Sequence, residues 1–347
     1  MDRINNYERS AWIDNAKIIG LYLMIVGHLS LLPPTPTQII YSFHMPLFFF
    51  LSGILYKRTT CFKEQVIKSF HRLIIPYIFI NGILLMMDFI LNSLIFSNQW
   101  VIIPRIKAII LGMGYGLDGL KPVCAPSWFL VSLFIIQLIT YWLDNKKIAF
   151  LACVFVIAVN ILIQQSDLHV ISPVSIVMGL PFFCIGFFVK DKIVENKFQP
   201  NFLSELKYVG FIALLSVLIA CTVILSMING RVECSKVYYG SNIMLFYVNA
   251  LLGISCVVLF SKIIGSVLNT FVIVICRGTL FVLGFHIFFI QLSLVFIHKF
   301  WPSIVYHSYW GLLLALVFLL LSYPIILILL KFFPELLGYK RVLKYKV

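Results

Sequence analysis

Apolar residues run through this chain in long unbroken windows and do not alternate with polar ones. Ten windows stand out, at 12–32, 38–56, 73–97, 127–143, 148–165, 173–189, 208–228, 241–261, 279–297 and 309–331. Several approach the roughly 20 residues that a helix needs to cross a bilayer. Unbroken apolar windows predict helices, because barrel strands would alternate and because lipid offers no partner to an unpaired backbone group. The pattern therefore predicts an all-α integral membrane protein, a polytopic bundle of about ten transmembrane helices. Residues 1–347 read as one transmembrane domain, with no internal repeat or low-complexity tract to divide them.

Composition agrees with the pattern. At 61% hydrophobic and 12% charged, the chain has too little polar surface to cover a soluble globule. Its net charge of +14 raises the question of nucleic acid, but the basic residues sit in the short connections between windows and not on one face. With the amino terminus placed in the cytoplasm, all of the 27 Lys and Arg fall inside except Arg105, Lys107, Lys121, Arg231, Lys236 and Lys299. That is the asymmetry of the positive-inside rule. Both termini are expected in the cytoplasm, and no nucleic-acid partner is expected. The first window does not read as a cleavable signal peptide: it holds Lys17 and His28, lacks a small-x-small site and follows the acidic Asp2 and Glu8.

The 8 cysteines show no CxxC and no Cys/His ligand spacing, so no metal site is expected. Cys124 and Cys234 alone fall in outer connections, where a disulfide between them is one option and free packing the other. The stretch 98–126 mixes an amphipathic piece with Gly and Pro, and reads either as a partial lid or as an interfacial helix held by Trp100.

Chemistry must come from polar side chains embedded in the windows, since each is costly there. Lys17 and His28 lie eleven positions apart, about 1100° and about 16 Å along a helix, so they share a face. Asp14 lies on nearly the same stripe. The plainer readings are that Lys17 snorkels or pairs with Asp14, and that His28 bonds a nearby loop. His44, at the start of the second window in "YSFHMPLFFFLSG", is placed to approach His28 across a short connection, though a cap contact would also explain it. Ser52 and Gly53 suit close helix packing.

Lys17 and His28 at this spacing, with "YSFHMPLFFFLSG", "FHRLIIPY", "PSWFLVSLF" and "RGTLFVLGFHIF", closely resemble the membrane-bound acyltransferase-3 family, and within it the bacterial sugar O-acetyltransferase branch typified by fucose 4-O-acetylases. The resemblance covers the chain. It departs at an Arg-x-x-Arg pair ahead of the third span, where Ser69 holds the first place and Arg72 the second; Lys68 and His71 are the neighbouring substitutes. The resemblance implies an O-acetyltransferase of the bacterial inner membrane, with acetyl-CoA as acyl donor and no metal. The acceptor would be a sugar hydroxyl of a surface polysaccharide, O-antigen, capsule or lipid-linked glycan.

On that reading His28 is the base or a transient acyl carrier, with Lys17 and His44 beside it as catalytic candidates. Arg72, Lys17 and Arg58 are candidates for the coenzyme phosphates. Trp128, His286 and Asp88 are candidates for substrate contacts, Asp88 by orienting the imidazole. Each has a bland alternative: positive-inside charge for the arginines, an interface belt for Trp128, a helix-to-helix bond for Asp88. Two further functions remain open. A transporter or flippase of a glycan intermediate is disfavoured because Asp88 is the only deeply placed carboxylate. A glycan polymerase is disfavoured because no large outer loop is present.

Overall fold

A computed structural model describes residues 10–29, 34–91, 101–111, 123–164, 175–195, 205–264, 270–300 and 309–339. Within them the backbone is helical: α1 (Ala11–His28), α2 (Pro34–Ile54), α3 (Phe62–Ser69), α4 (Ile75–Phe89), α5 (Ile102–Ile110), α6 (Trp128–Trp142), α7 (Lys146–Gln164), α8 (Ile176–Glu195), α9 (Glu205–Asn229), α10 (Ile243–Ile264), α11 (Thr270–Arg277), α12 (Thr279–Phe300) and α13 (Tyr309–Phe332). Among the described residues there is no strand, only an isolated bridge between Glu233 and Tyr238.

All ten apolar windows contain a helix. Seven of these are long and apolar enough to cross a membrane: Pro34–Ile54, Phe62–Phe89, Ala125–Trp142, Val209–Asn229, Ile243–Ile264, Thr279–Phe300 and Trp310–Phe332. The remaining windows correspond to α1, α7 and α8. α1 carries Asp14 and Lys17, and α7 and α8 carry lysines at their ends, so polar residues dilute all three. Exposed apolar side chains along α7, α9 and α13, among them Phe155, Val217 and Leu320, form a rim fit for lipid.

α1 sits centrally, packed on α2, α10, α11, α12 and α13. α2 packs most closely on α8, and two glycines make that possible. A Cβ on Gly53 would overlap the Phe183 carbonyl oxygen, and one on Gly186 would overlap that of Phe50. The backbones therefore touch at a reciprocal pair of small residues, as the sequence led us to expect of Gly53.

Prolines shape the two segments that reach the site. Pro46 lies inside α2, so the Ser42 carbonyl loses its helical donor. Pro76 lies in the first turn of α4 and does the same to the Arg72 carbonyl. There the Ile75 N–H reaches back to Phe70 instead, and Phe70–Ile74 form a π-helical turn between α3 and α4. Such turns often mark functional positions. Gly338, with φ 76°, closes onto the same Arg72 carbonyl, where a Cβ would clash. The turn that follows α13 is thus seated on Arg72.

Cys124 and Cys234 are both buried and both free, so the optional disulfide is not formed. Cys124 Sγ instead donates to the Gly284 carbonyl at 3.4 Å. The amphipathic piece of 98–126 is α5, and it lies against α4 without lining the cavity that holds His28. Trp100, the expected interfacial anchor, lies outside the described residues.

Candidate active site

Two cavities enter the bundle from opposite ends of α1. The first, about 90 Å³, is lined by His28, Tyr41, His44, Trp128 and residues of the α9–α10 connection. The second, about 220 Å³, is lined by Lys17, Lys57, Lys68, Arg72, Gln137 and Arg277. A thin apolar septum parts them. Along α2 it is bounded by Met45 and Phe48, along α6 by Trp128 and Phe129, and along α12 by Leu283 and Leu280, the first of each pair lining the His28 cavity. One helical turn is about 5 Å, so the cavities nearly meet although Lys17 and His28 are themselves about 16 Å apart along the axis. Phe48 packs edge-on to Phe129 within this septum, ring centroids 6.2 Å apart.

The helices bring three imidazoles and a phenol together at the smaller cavity. Tyr41 Oη lies 3.0 Å from His28 Nδ1, and the Tyr41 ring stands 5.0 Å from that of His44. The His286 ring is 5.0 Å from that of His28. Two tautomers are fixed by backbone: His44 Nδ1 donates to the Ile40 carbonyl at 2.9 Å, and His286 Nδ1 donates to the carbonyls of Leu283 and Val282 at 2.9 and 3.1 Å. Each ring then keeps a lone pair on Nε2. His286 is fully buried, and its Nε2 has no partner. His28, held at Nδ1 by Tyr41, likewise leaves Nε2 for a reacting group. Trp128, buried in the wall of the same cavity, supplies an aromatic face.

The cations at the other end form one basin. Lys68 and Arg72, four residues apart across the π turn, line both the 220 Å³ cavity and an adjoining one of about 370 Å³ that includes His71 and Tyr339. Ser69, where the family pattern has its first Arg, is buried, accepts from Gln65 Nε2 at 3.0 Å and donates to Gln137 Oε1 at 2.7 Å. It ties α3 to α6, while Lys68 beside it takes the place on the cavity wall.

Other candidates sit elsewhere. Arg58 does not line the basin: its NH2 donates to the Thr140 carbonyl at 3.1 Å, and its guanidinium lies 5.8 Å from the ring centroids of both Tyr141 and Phe187. Asp88 does not orient an imidazole. It pairs with Arg105 Nε at 2.5 Å, joining α4 to α5, because α5 lays its one well-covered cation beside that carboxylate. Asp14 is buried and lines neither cavity. Of the sequence-derived candidates, then, His28, His44, His286 and Trp128 share one site, Lys17 and Arg72 share a second, and Arg58 and Asp88 belong to neither.

Sequence reasoning missed Tyr41, Arg231 and Glu233. Tyr41 was legible as the polar head of the "YSFHMP" stretch, one turn from His44. Arg231 and Glu233 reach the His28 cavity only through tertiary folding and carry no local signal.

The sequence model of the acyltransferase-3 family, described as an acyltransferase domain, matches residues 10–331. No curated protein and no solved structure matches the chain.

Proposed function

The chain belongs to the acyltransferase-3 family, and on that premise we propose that this multi-pass membrane acyltransferase carries acetyl from acetyl-CoA to a sugar hydroxyl. The acceptor is a surface polysaccharide, O-antigen, capsule or lipid-linked glycan, and the membrane is the bacterial inner membrane. Both termini face the cytoplasm, so the cation-lined cavity opens toward the coenzyme.

One observation carries the reading: a histidine-lined cavity and a cation-lined cavity enter from opposite ends and stop at a septum about one helical turn thick. Phosphates need cations, and Arg72 offers a fork that binds two oxygens while Lys17 and Lys68 act as point charges. An acceptor alcohol needs a base, because it attacks poorly until its proton is removed in the transition state. For His28 to serve, Nδ1 holds the ring proton and donates it to the Tyr41 oxygen, which leaves the Nε2 lone pair as the base. The hydroxyl proton passes to Nε2 as its oxygen bonds to the acetyl carbonyl carbon. The carbon–sulfur bond then breaks, and the coenzyme thiolate takes up the proton. Phe48 and Phe129 stand where the pantetheine arm must pass.

The test is acetyl-CoA consumption by purified protein in proteoliposomes with a glycan acceptor. Replacing His28 with Ala is expected to lower the rate by about 100-fold or more, the usual contribution of a general base. Retained activity in a correctly inserted variant removes His28 from the chemistry, and no consumption by the parent removes acetyl-CoA as the donor.

A further inference from the structure

The α9–α10 connection, residues 230–242, is built as a fixed strap over the His28 cavity. Asn229 pins both ends: its Nδ2 donates to the Tyr239 carbonyl at 2.7 Å, its Oδ1 accepts from the Asn242 N–H at 2.9 Å, and its carbonyl accepts from the Ser241 N–H at 2.7 Å. Val232, Cys234 and Tyr239 are buried beneath the strap. Glu233 and Tyr238 exchange backbone hydrogen bonds of 2.8 and 3.1 Å across the turn, which Val237 closes at φ 56°, an unusual value for a β-branched residue. A backbone so fully bonded does not wander, and it holds the Glu233 side chain in the cavity wall with His28 and Trp128.

The Glu233 carboxylate is only half used. Oε2 accepts from Lys236 Nζ at 3.1 Å, while Oε1 has Arg231 at 3.6 Å, an ion pair beyond hydrogen-bond range. The flanking cations keep the group ionised, and Oε1 retains lone pairs directed by a rigid strap. A charged acceptor oxygen facing a histidine base and an aromatic wall suits a polyhydroxylated ring.

We propose that Glu233 accepts a hydrogen bond from an acceptor hydroxyl adjacent to the one acylated, so the enzyme requires a sugar with two neighbouring free hydroxyls. Resting on the acyl-transfer reading above, this makes Glu233 a specificity-determining residue. A cavity of about 90 Å³ admits the edge of one ring and not an oligosaccharide. One hydroxyl meets His28 and its neighbour meets the strap.

The experiment is a cycle between protein and acceptor. Parent, Glu233→Ala, Glu233→Gln and Lys236→Met proteins in proteoliposomes receive acetyl-CoA with octyl glucopyranoside, octyl galactopyranoside and the monodeoxy analogues of each. With the parent, removing the neighbouring hydroxyl is expected to lower kcat/KM by about 10- to 100-fold, the range of a hydrogen bond to a charged group. Glu233→Ala shows that loss with the intact sugar and no further loss with the deoxy sugar. Glu233→Gln, which keeps one acceptor oxygen, recovers part of it, and Lys236→Met, which keeps the carboxylate, still discriminates. The proposal is overturned if Glu233→Ala discriminates as strongly as the parent, or if Lys236→Met loses discrimination equally. Acetyl-CoA hydrolysis without transfer to any pyranoside also overturns it and leaves the donor reading standing. Neither hydrolysis nor transfer overturns both.

Discussion

Replacing Tyr41 with Phe removes one hydroxyl and leaves the ring that packs between His28 and His44. The lost contact is the 3.0 Å bond to His28 Nδ1. In the resting enzyme that bond joins two neutral groups and contributes about 1 kcal/mol. In the transition state His28 has gained the acceptor proton, so the same bond becomes charge-assisted and contributes about 1.5–3 kcal/mol. The difference, roughly 0.5–2 kcal/mol, is felt only in the transition state and corresponds to a fall in kcat of about 2- to 30-fold. The KM for acetyl-CoA should stay within about twofold, since Tyr41 lines the His28 cavity and not the cation basin. The assay is steady-state acetyl-CoA consumption at matched protein in proteoliposomes. An unchanged kcat would show that the phenol does not support the imidazole. A raised donor KM with kcat intact would refute the separation of donor and acceptor cavities.

Three further outcomes follow from the geometry. Arg72→Gln should raise the KM for acetyl-CoA by about tenfold, the loss of one charge-assisted contact, whereas Arg58→Gln should lower detergent Tm and leave that KM alone; the reverse pattern would exchange their roles. Gly186→Ala sets a methyl against the Phe50 carbonyl and should cost about 1–3 kcal/mol, read as a lower Tm with α2 and α8 forced apart, and an unchanged Tm would show that the helices do not cross so closely. Burial, with the Glu233 charge adding to it, pushes the Cys234 thiol up to about 12. At pH 8 that thiol is therefore protonated and should resist iodoacetamide while the exposed Cys61 is labelled; rapid labelling of Cys234 in the native protein would show that the strap opens.

The sequence was most informative where polar residues are rare. In a chain this apolar a buried His must have a partner or a task, and His28, His44 and His286 meet at one cavity although His286 lies 258 positions beyond His28 (286 minus 28). Helix spacing placed Lys17 and His28 on one face, but it did not reveal that the face is interrupted by a septum, because Phe48, Phe129 and Leu280 come from other helices. Charge was less informative than histidine. Arg58 and Arg72 look alike as basic residues beside a span, and only the Thr140 carbonyl and the rings of Tyr141 and Phe187 show that Arg58 is held in the framework. Asp88 was read by depth, yet its partner is Arg105 on α5, a helix whose placement no periodicity encodes. Glu233 sits in a short polar connection of the kind that sequence reading discounts, and its standing comes from the Asn229 bonds that fold it over the cavity.

The central claim is that acyl transfer to a glycan runs through His28. The most direct test is the mass of surface glycan from cells expressing the parent or the His28→Ala protein at equal membrane levels. The account predicts a gain of about one acetyl mass per repeat for the parent and none for the variant. An equal gain in both, or a change in glycan amount or length with no acetyl gain in either, would contradict it.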